Sequence, residues 1–524
     1  MKWHPRICEN HSAITTALKA PTVVVALACI AGGLSQIASA QQVGGTNASS
    51  PTLAGMIAHM QAMRRFEDVD QGVQPAPPII PRFELDLDTT GAVATFQPAG
   101  ATFPFNNAFF QNLGTNGRTC FTCHQPQTGW TVSAASVAAR FDATGGTDAI
   151  FRLVDGATCP SANVSNPVAK RQAYALLIDR GLIRIGLPMP AGVQFEVTAV
   201  DDPYDCTTNS VTGLTSKTAG IVSVYRRPLP STNLGFLSTI MWDGRELHLT
   251  DQATDATLGH AQANAAPNAA QLAQIVAFES GLFTAQEIDF KAGLLHDAGA
   301  TGGAVALSLQ KFFIGINDPF GQNPMPGQAF DPNIFDLFRP WLGLSLGGVT
   351  FSIGDTVEQR LSIARGEEVF NSTPINITGV AGINDVLNVA SFPGFCGTCH
   401  DTPNVGNHSV KAPLDIGIAD AGAKSPPVLD ISRLPVFTLT CKSGPLAGQV
   451  FMVTDPGRAL ISGNCADIGK LKGPILRGLA ARAPYFHNGS AATLLDVVNF
   501  YDQRFGIGFT PQQKTDLVNF LNSL

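Results

Sequence analysis

The chain has 524 residues, of which 44% are apolar and only 14% charged, and it carries a net charge of −7. That balance is the reverse of what disorder requires, and an acidic chain lacks the basic footprint of a nucleic-acid binder. Gly 52 and Pro 35 together make about one residue in six (87 of 524), which predicts many turns and long irregular stretches.

The first 40 residues have the pattern of a signal peptide. Lys2, Arg6 and Lys19 precede an apolar run from Pro21 to Leu34, and Ala38-Ser39-Ala40 supplies a small-x-small cleavage site. The run is interrupted by Gly32 and Gly33 and is short for a bilayer span, and no later segment reaches 18 uncharged apolar residues. The expectation is an exported, periplasmic protein with no membrane span in the mature chain. Residues 41–81 are polar, include Gln74-Pro75-Ala76-Pro77-Pro78, and read as a leader or linker.

Cleavage removes Cys8 and Cys29 and leaves eight cysteines of two kinds. Cys120-Phe121-Thr122-Cys123-His124 and Cys396-Gly397-Thr398-Cys399-His400 are both C-x-x-C-H, the attachment signature of c-type haem. In that signature two thiols form thioethers to the vinyl groups on one edge of the porphyrin, and the adjoining histidine ligates the iron. A redox dithiol or half a zinc site needs no such histidine, so two covalently bound haem c groups are expected, with His124 and His400 as proximal ligands. Cys159, Cys206, Cys441 and Cys465 have no histidine neighbour. Four cysteines allow three pairings, and the local choice is Cys159 with Cys206 and Cys441 with Cys465.

The two motifs organise the rest. A first cytochrome c-like haem domain is expected over residues 82–348, with a loop and short-strand insertion over about 131–225 that includes a loosely alternating stretch at 193–200. A second is expected over residues 355–524. It opens with a helix over 357–370 capped by Thr356, carries a helix after Thr493, and closes with one that starts at Thr510-Pro511. The expected fold class is mainly α with extensive loops.

Further motifs carry a resemblance. The chain has Met241-Trp242-Asp243-Gly244-Arg245, then Asp251-Gln252-Ala253, and later Leu476-Arg477 followed by Ala483-Pro484-Tyr485-Phe486-His487-Asn488-Gly489-Ser490. This resembles the bacterial di-haem cytochrome c peroxidase and MauG superfamily over roughly residues 100–130 and 226–510. The resemblance implies an oxidoreductase in which hydrogen peroxide or O2 is activated at the N-terminal haem. The C-terminal haem stores or relays an electron, and Trp242 lies between the two. An electron-donor protein such as a small cytochrome c or cupredoxin, or an oxidisable substrate, is the implied partner. A non-catalytic di-haem electron carrier and a rubber-oxygenase-like haem dioxygenase are the alternatives.

Departures from the family pattern bear on the distal ligands, the main lever on haem reactivity. Residues 125–224 contain no histidine, where the family's peroxidases usually carry a second ligand for the first haem. His260 is then a distal acid-base group, a direct iron ligand or an interface histidine, and Gln262 falls near the position of a catalytic glutamate in the family. For the second haem, Tyr501 stands where the family usually has a methionine ligand, with Leu494, Val497 and Val498 on its helix face, and this is similar to MauG. His487, Met452 and His408 are competing ligands. A calcium ion commonly sits between the domains in this family. Here Arg227 and Arg482 occupy the approximate equivalents of its ligands, which argues against calcium.

Overall fold

The computed structural model describes residues 76–204, 221–321, 329–344, 352–422 and 429–524. The expected signal peptide, most of the expected leader, and Cys206 lie outside the described residues.

A four-stranded antiparallel sheet is built in the order Phe83–Leu87, Gly91–Phe96, Phe283–Asp289, Gly293–Leu294. Asp88 closes the first hairpin by accepting from the amides of Thr90 and Gly91 at 2.7 and 2.9 Å. The sheet backs the first C-x-x-C-H segment, because the indole of Trp130 donates to Thr95 Oγ1 at 2.8 Å. Phe109, Phe110, Phe121 and Phe278 join that indole in one buried aromatic cluster.

The inserted region holds the helix Ala134–Thr144 and the antiparallel pair Ile183–Pro188 and Ile221–Arg226. Its other strand, Phe195–Asp201, covers the alternating stretch read at 193–200. That strand pairs far along the chain with Val436–Cys441, which also pairs with Val450–Val453. Phe195, Val222, Phe437, Leu439 and Val453 share one buried cluster with the disulfide Cys441–Cys465, the pairing expected from proximity. Cys159 is also disulfide-bonded.

The helices Ser352–Ser372, Leu494–Phe505 and Pro511–Asn522 enclose a second core with Phe335, Phe338 and Trp341. Thr493 and Thr510 cap their helices, each accepting from the amide three residues on. Thr356 is not a cap. The helix begins one turn earlier, at Ser352, because nothing in Ser-Ile-Gly-Asp stops the helical spacing from running upstream. Among the described residues, eleven strands in four sheets accompany the helices. The fold is therefore mixed α and β rather than mainly α. Some of the strands are local hairpins, such as Phe83–Leu87 with Gly91–Phe96, and others pair with partners remote in the chain, such as Phe195–Asp201 with Val436–Cys441, which no local periodicity reveals.

Within this core a Cβ on Gly366 would lie 2.0 Å from the carbonyl oxygen of Asp516, so the helices Ser352–Ser372 and Pro511–Asn522 touch through that glycine. Gly366→Ala must push them apart. A loss of about 2 kcal/mol or more in urea unfolding is expected, in the range of overpacked cores, and an unchanged midpoint would contradict the close approach.

Candidate functional site

Each C-x-x-C-H run folds into one turn of 3₁₀ helix, Cys120–Thr122 and Cys396–Thr398. The amides of His124 and His400 reach back to the carbonyls of Cys120 and Cys396 at 3.0 and 3.1 Å. The threonine inside each run fixes the turn, since Thr122 Oγ1 accepts from the Thr119 amide and Thr398 Oγ1 from the Phe395 amide. As a result both cysteines and the histidine of each run line one pocket.

The chemistry of these side chains fits a covalently attached haem. All four thiols are free. Burial pushes Cys396 and Cys399 up to about 12, and Cys120 and Cys123 upward as well, unlike an activated redox dithiol. His124 Nδ1 lies 2.9 Å from the Trp130 carbonyl oxygen and His400 Nδ1 2.7 Å from that of Gly406. With Nδ1–H donating to the carbonyl, Nε2 keeps its lone pair for a metal. Burial also pushes both imidazoles down to about 4, so they stay neutral. Among the described residues no group of three His, Cys, Asp or Glu side chains is placed to hold a bare metal ion.

The first pocket gathers His124, Asp155, Arg118, His260, Glu279 and Trp242. The helix Leu249–Gly259 presents Gln252, Ala253, Ala256 and Thr257 to it, and His260 follows on the same face at helical spacing. Asp155 Oδ2 lies 2.6 Å from His260 Nδ1, and Arg118 Nη1 donates to both Asp155 oxygens at 2.6 and 2.7 Å. Burial raises the Asp155 carboxyl, but Arg118 and His260 outweigh it and hold it below the usual range. Asp155 thus fixes one nitrogen of His260. Gln262 does not line the pocket. Its backbone is left-handed at φ 54, and its side chain accepts from Asn116 Nδ2 at 3.3 Å.

Glu279 is a pocket residue that the sequence reading did not single out. Its Oε2 is buried without a hydrogen-bond partner, and burial pushes the carboxyl up to about 7 against a hydrogen bond from Ser231. The available signal was a charged residue four after Ile275 on the apolar face of the helix Ala269–Ser280. Asp155 and Arg118 gave no such signal, because 37 residues separate them.

The second pocket gathers His400, His408, Tyr501 and Phe505. Burial pushes the Tyr501 phenol upward, with Cys399 and Cys396 adding to it. Among the described residues neither ring nitrogen of His408 has a hydrogen-bond partner, and Asp401 Oδ2 lies 3.4 Å from Nδ1. His487 and Met452 line neither pocket; Met452 is about half exposed on the strand Val450–Val453.

Trp242 lines both pockets. Its indole N–H donates to the Arg227 carbonyl at 2.8 Å, and the segment that carries it is clamped by Asp243, which accepts from Arg226 and Arg245. Gly244 has φ +68, and a Cβ there would meet Thr239 Cγ2 at 2.7 Å, so the turn requires glycine.

No family model matches the chain. Among curated proteins it is similar to the cytochrome-c peroxidase IdrP1 of Pseudomonas sp. (strain SCT), 30% identical over 141 residues that make up 25% of this chain and 36% of that protein. It is also similar to the cytochrome-c peroxidase IdrP2 of Denitromonas iodatirespirans, 42% identical over 78 residues, 14% of this chain and 21% of that protein. Over these segments the chain is similar to cytochrome-c peroxidases, in keeping with the resemblance that its motifs carry. The matched segments span about a third or less of these peroxidases. A crystal structure of a MauG-like protein associated with microbial copper homeostasis aligns over 80% of this chain and 86% of its own, at 15% identity and a TM-score of 0.35. No helix among the described residues is long and apolar enough to cross a membrane.

The histidine of the Pro-Tyr-Phe-His run, His487, is buried beside Trp242 with ring centroids 6.2 Å apart; among the described residues neither ring nitrogen has a hydrogen-bond partner, and Asp455 Oδ2 lies 3.7 Å from Nε2. Burial pushes its imidazole down to about 4. An unfolded imidazole takes up a proton near pH 6.5, so between about 6.5 and 4 the unfolded state binds more protons. Stability from this residue is present above that window and lost as pH falls through it. Urea unfolding of His487→Leu beside the unaltered chain should show a shallower loss between about pH 6.5 and 4, and parallel curves would contradict this.

Proposed function

We propose that the chain is an exported di-haem c-type oxidoreductase that reacts with hydrogen peroxide, or with O2, in the pocket lined by His124. The observation that carries this reading is the placement of His260, paired to Asp155, in the same pocket as the first C-x-x-C-H motif. Cys120, Cys123 and His124 would hold one haem, and Cys396, Cys399 and His400 the other. When bound, such groups supply iron for peroxide chemistry and electron storage.

The protein's own residues do the rest. With Nδ1–H of His260 donating to the Asp155 carboxylate, Nε2 is left as the base that accepts a proton from peroxide and returns it to the departing oxygen. Asp155 is a positioning residue, held by Arg118. Glu279 is a second carboxyl from which a proton reaches the same pocket. Trp242 offers an aromatic bridge for an electron between the pockets. Tyr501, whose phenol faces the second pocket, is the proposed sixth ligand there, with His408 as its competitor; an oxyanion ligand favours ferric iron. A small cytochrome c or a cupredoxin is the proposed electron donor. The domain limits at residues 82–348 and 355–524 belong to the same proposal.

A non-catalytic electron carrier is the second reading, and His408, which lines the same pocket as His400 with no hydrogen bond to either ring nitrogen among the described residues, favours it at the second haem. Absorption and EPR spectra of the purified ferric protein separate the two. A high-spin component that changes on adding equimolar peroxide is expected, with His260→Ala slowing that change roughly 10²-fold, the usual value of one acid-base group. Two low-spin haems indifferent to peroxide would overturn the enzymatic reading. A Tyr501→Phe spectrum identical to that of the unaltered protein would remove the tyrosine ligand.

A further inference from the structure

Three cations, Arg227, Lys472 and Arg482, line both pockets. None has an ion-pair partner within the described residues. Among the described residues, Arg227 donates only to backbone carbonyls, those of Val132 and Pro484, and Arg482 to those of Ile475, Arg477 and Gly478. Lys472 Nζ lies over the Trp242 ring, 5.6 Å from its centroid. Carbonyls and an aromatic face orient these cations without neutralising them, and a buried charge left unpaired costs on the order of several kcal/mol.

Other buried arginines are treated differently. Arg226 has Asp243 and Asp455, Arg118 has Asp155, and Arg140 has Asp148. Arg184 and Arg477 lack ion pairs, but they line neither pocket, and Asp155 and Glu287 respectively support their charge. The pocket cations receive no such support from a carboxylate. Burial pushes Lys472 down to about 8 with Arg482 adding to it, and pushes Arg227 down to about 9 with Arg482 again adding.

We propose that Arg227, Lys472 and Arg482 form one cationic seam that binds the propionate carboxylates of the tetrapyrroles in both pockets, so that a single set of charges raises the reduction potential of both irons. This rests on the di-haem reading above. Each propionate supplies the anion that the protein withholds, and positive charge between the pockets favours the reduced state of either iron.

The test is a redox titration of the haem-loaded full-length protein beside Lys472→Met, Arg482→Met and Lys472→Arg, with haem counted by absorbance in each. Both midpoint potentials should fall together in the two methionine variants and hold in Lys472→Arg. Movement of one potential alone, or of neither, overturns the shared seam while leaving the haem count intact. A chain without two haems overturns the di-haem reading and the seam with it. Redox-difference infrared spectra of the unaltered protein keep the proposal testable if a variant fails to fold: ionised propionate bands support it, protonated ones contradict it. Acetate added to the loaded protein should leave both potentials unchanged, and a saturable shift would assign the seam to a diffusible carboxylate instead.

Discussion

One indole in the wall between two apolar pockets is the constraint on which the rest of the structure depends. Trp242 lines both cavities, and its only polar atom is tied to the Arg227 carbonyl. That position is secured by charge. The Asp243 carboxylate next to it is fully buried and accepts from Arg226, which also holds Asp455. Breaking such a buried pair typically costs 3–5 kcal/mol, because the surviving charge is left without compensation. Trp-Asp-Gly-Arg is therefore a wall, an anchor, a left-handed turn and a pocket cation in four consecutive residues.

The two pockets share construction and differ in what faces the histidine. Both use a 3₁₀ turn pinned by an internal threonine, and both tie the histidine Nδ1 to the carbonyl six residues on. Beyond that, the first is furnished with proton-handling groups, His260 with Asp155, and Glu279, which holds a hydrogen bond from Ser231. The second presents a phenol and a buried imidazole amid apolar walls. Under the proposed function, that asymmetry would place acid-base chemistry on one side and electron storage on the other.

What was legible in the sequence was what depends on nearest neighbours. The C-x-x-C-H turns, the caps at Thr493 and Thr510 and the strand near 193–200 are short-range patterns, and the structure contains each of them. The sheet pairing was not legible, because the partner of Phe195–Asp201, Val436–Cys441, lies more than two hundred residues away. The site was half legible. His260 and Tyr501 stand in the two pockets, whereas Gln262 turns away because its backbone enters the left-handed region and its side chain is engaged by Asn116. Asp155 and Lys472 bear on the pockets through tertiary contacts that have no signature in their own neighbourhoods, and Glu279 is marked only as a charge on the apolar face of its helix.

The central claim is that each C-x-x-C-H pocket carries one covalently held haem. Intact mass of the denatured protein, matured in a host with c-type haem attachment, tests it most directly. The expected result is two haem groups per chain that survive denaturation, and one in a Cys396→Ala/Cys399→Ala variant. A chain bearing one haem or none, or two that dissociate on denaturation, would contradict it.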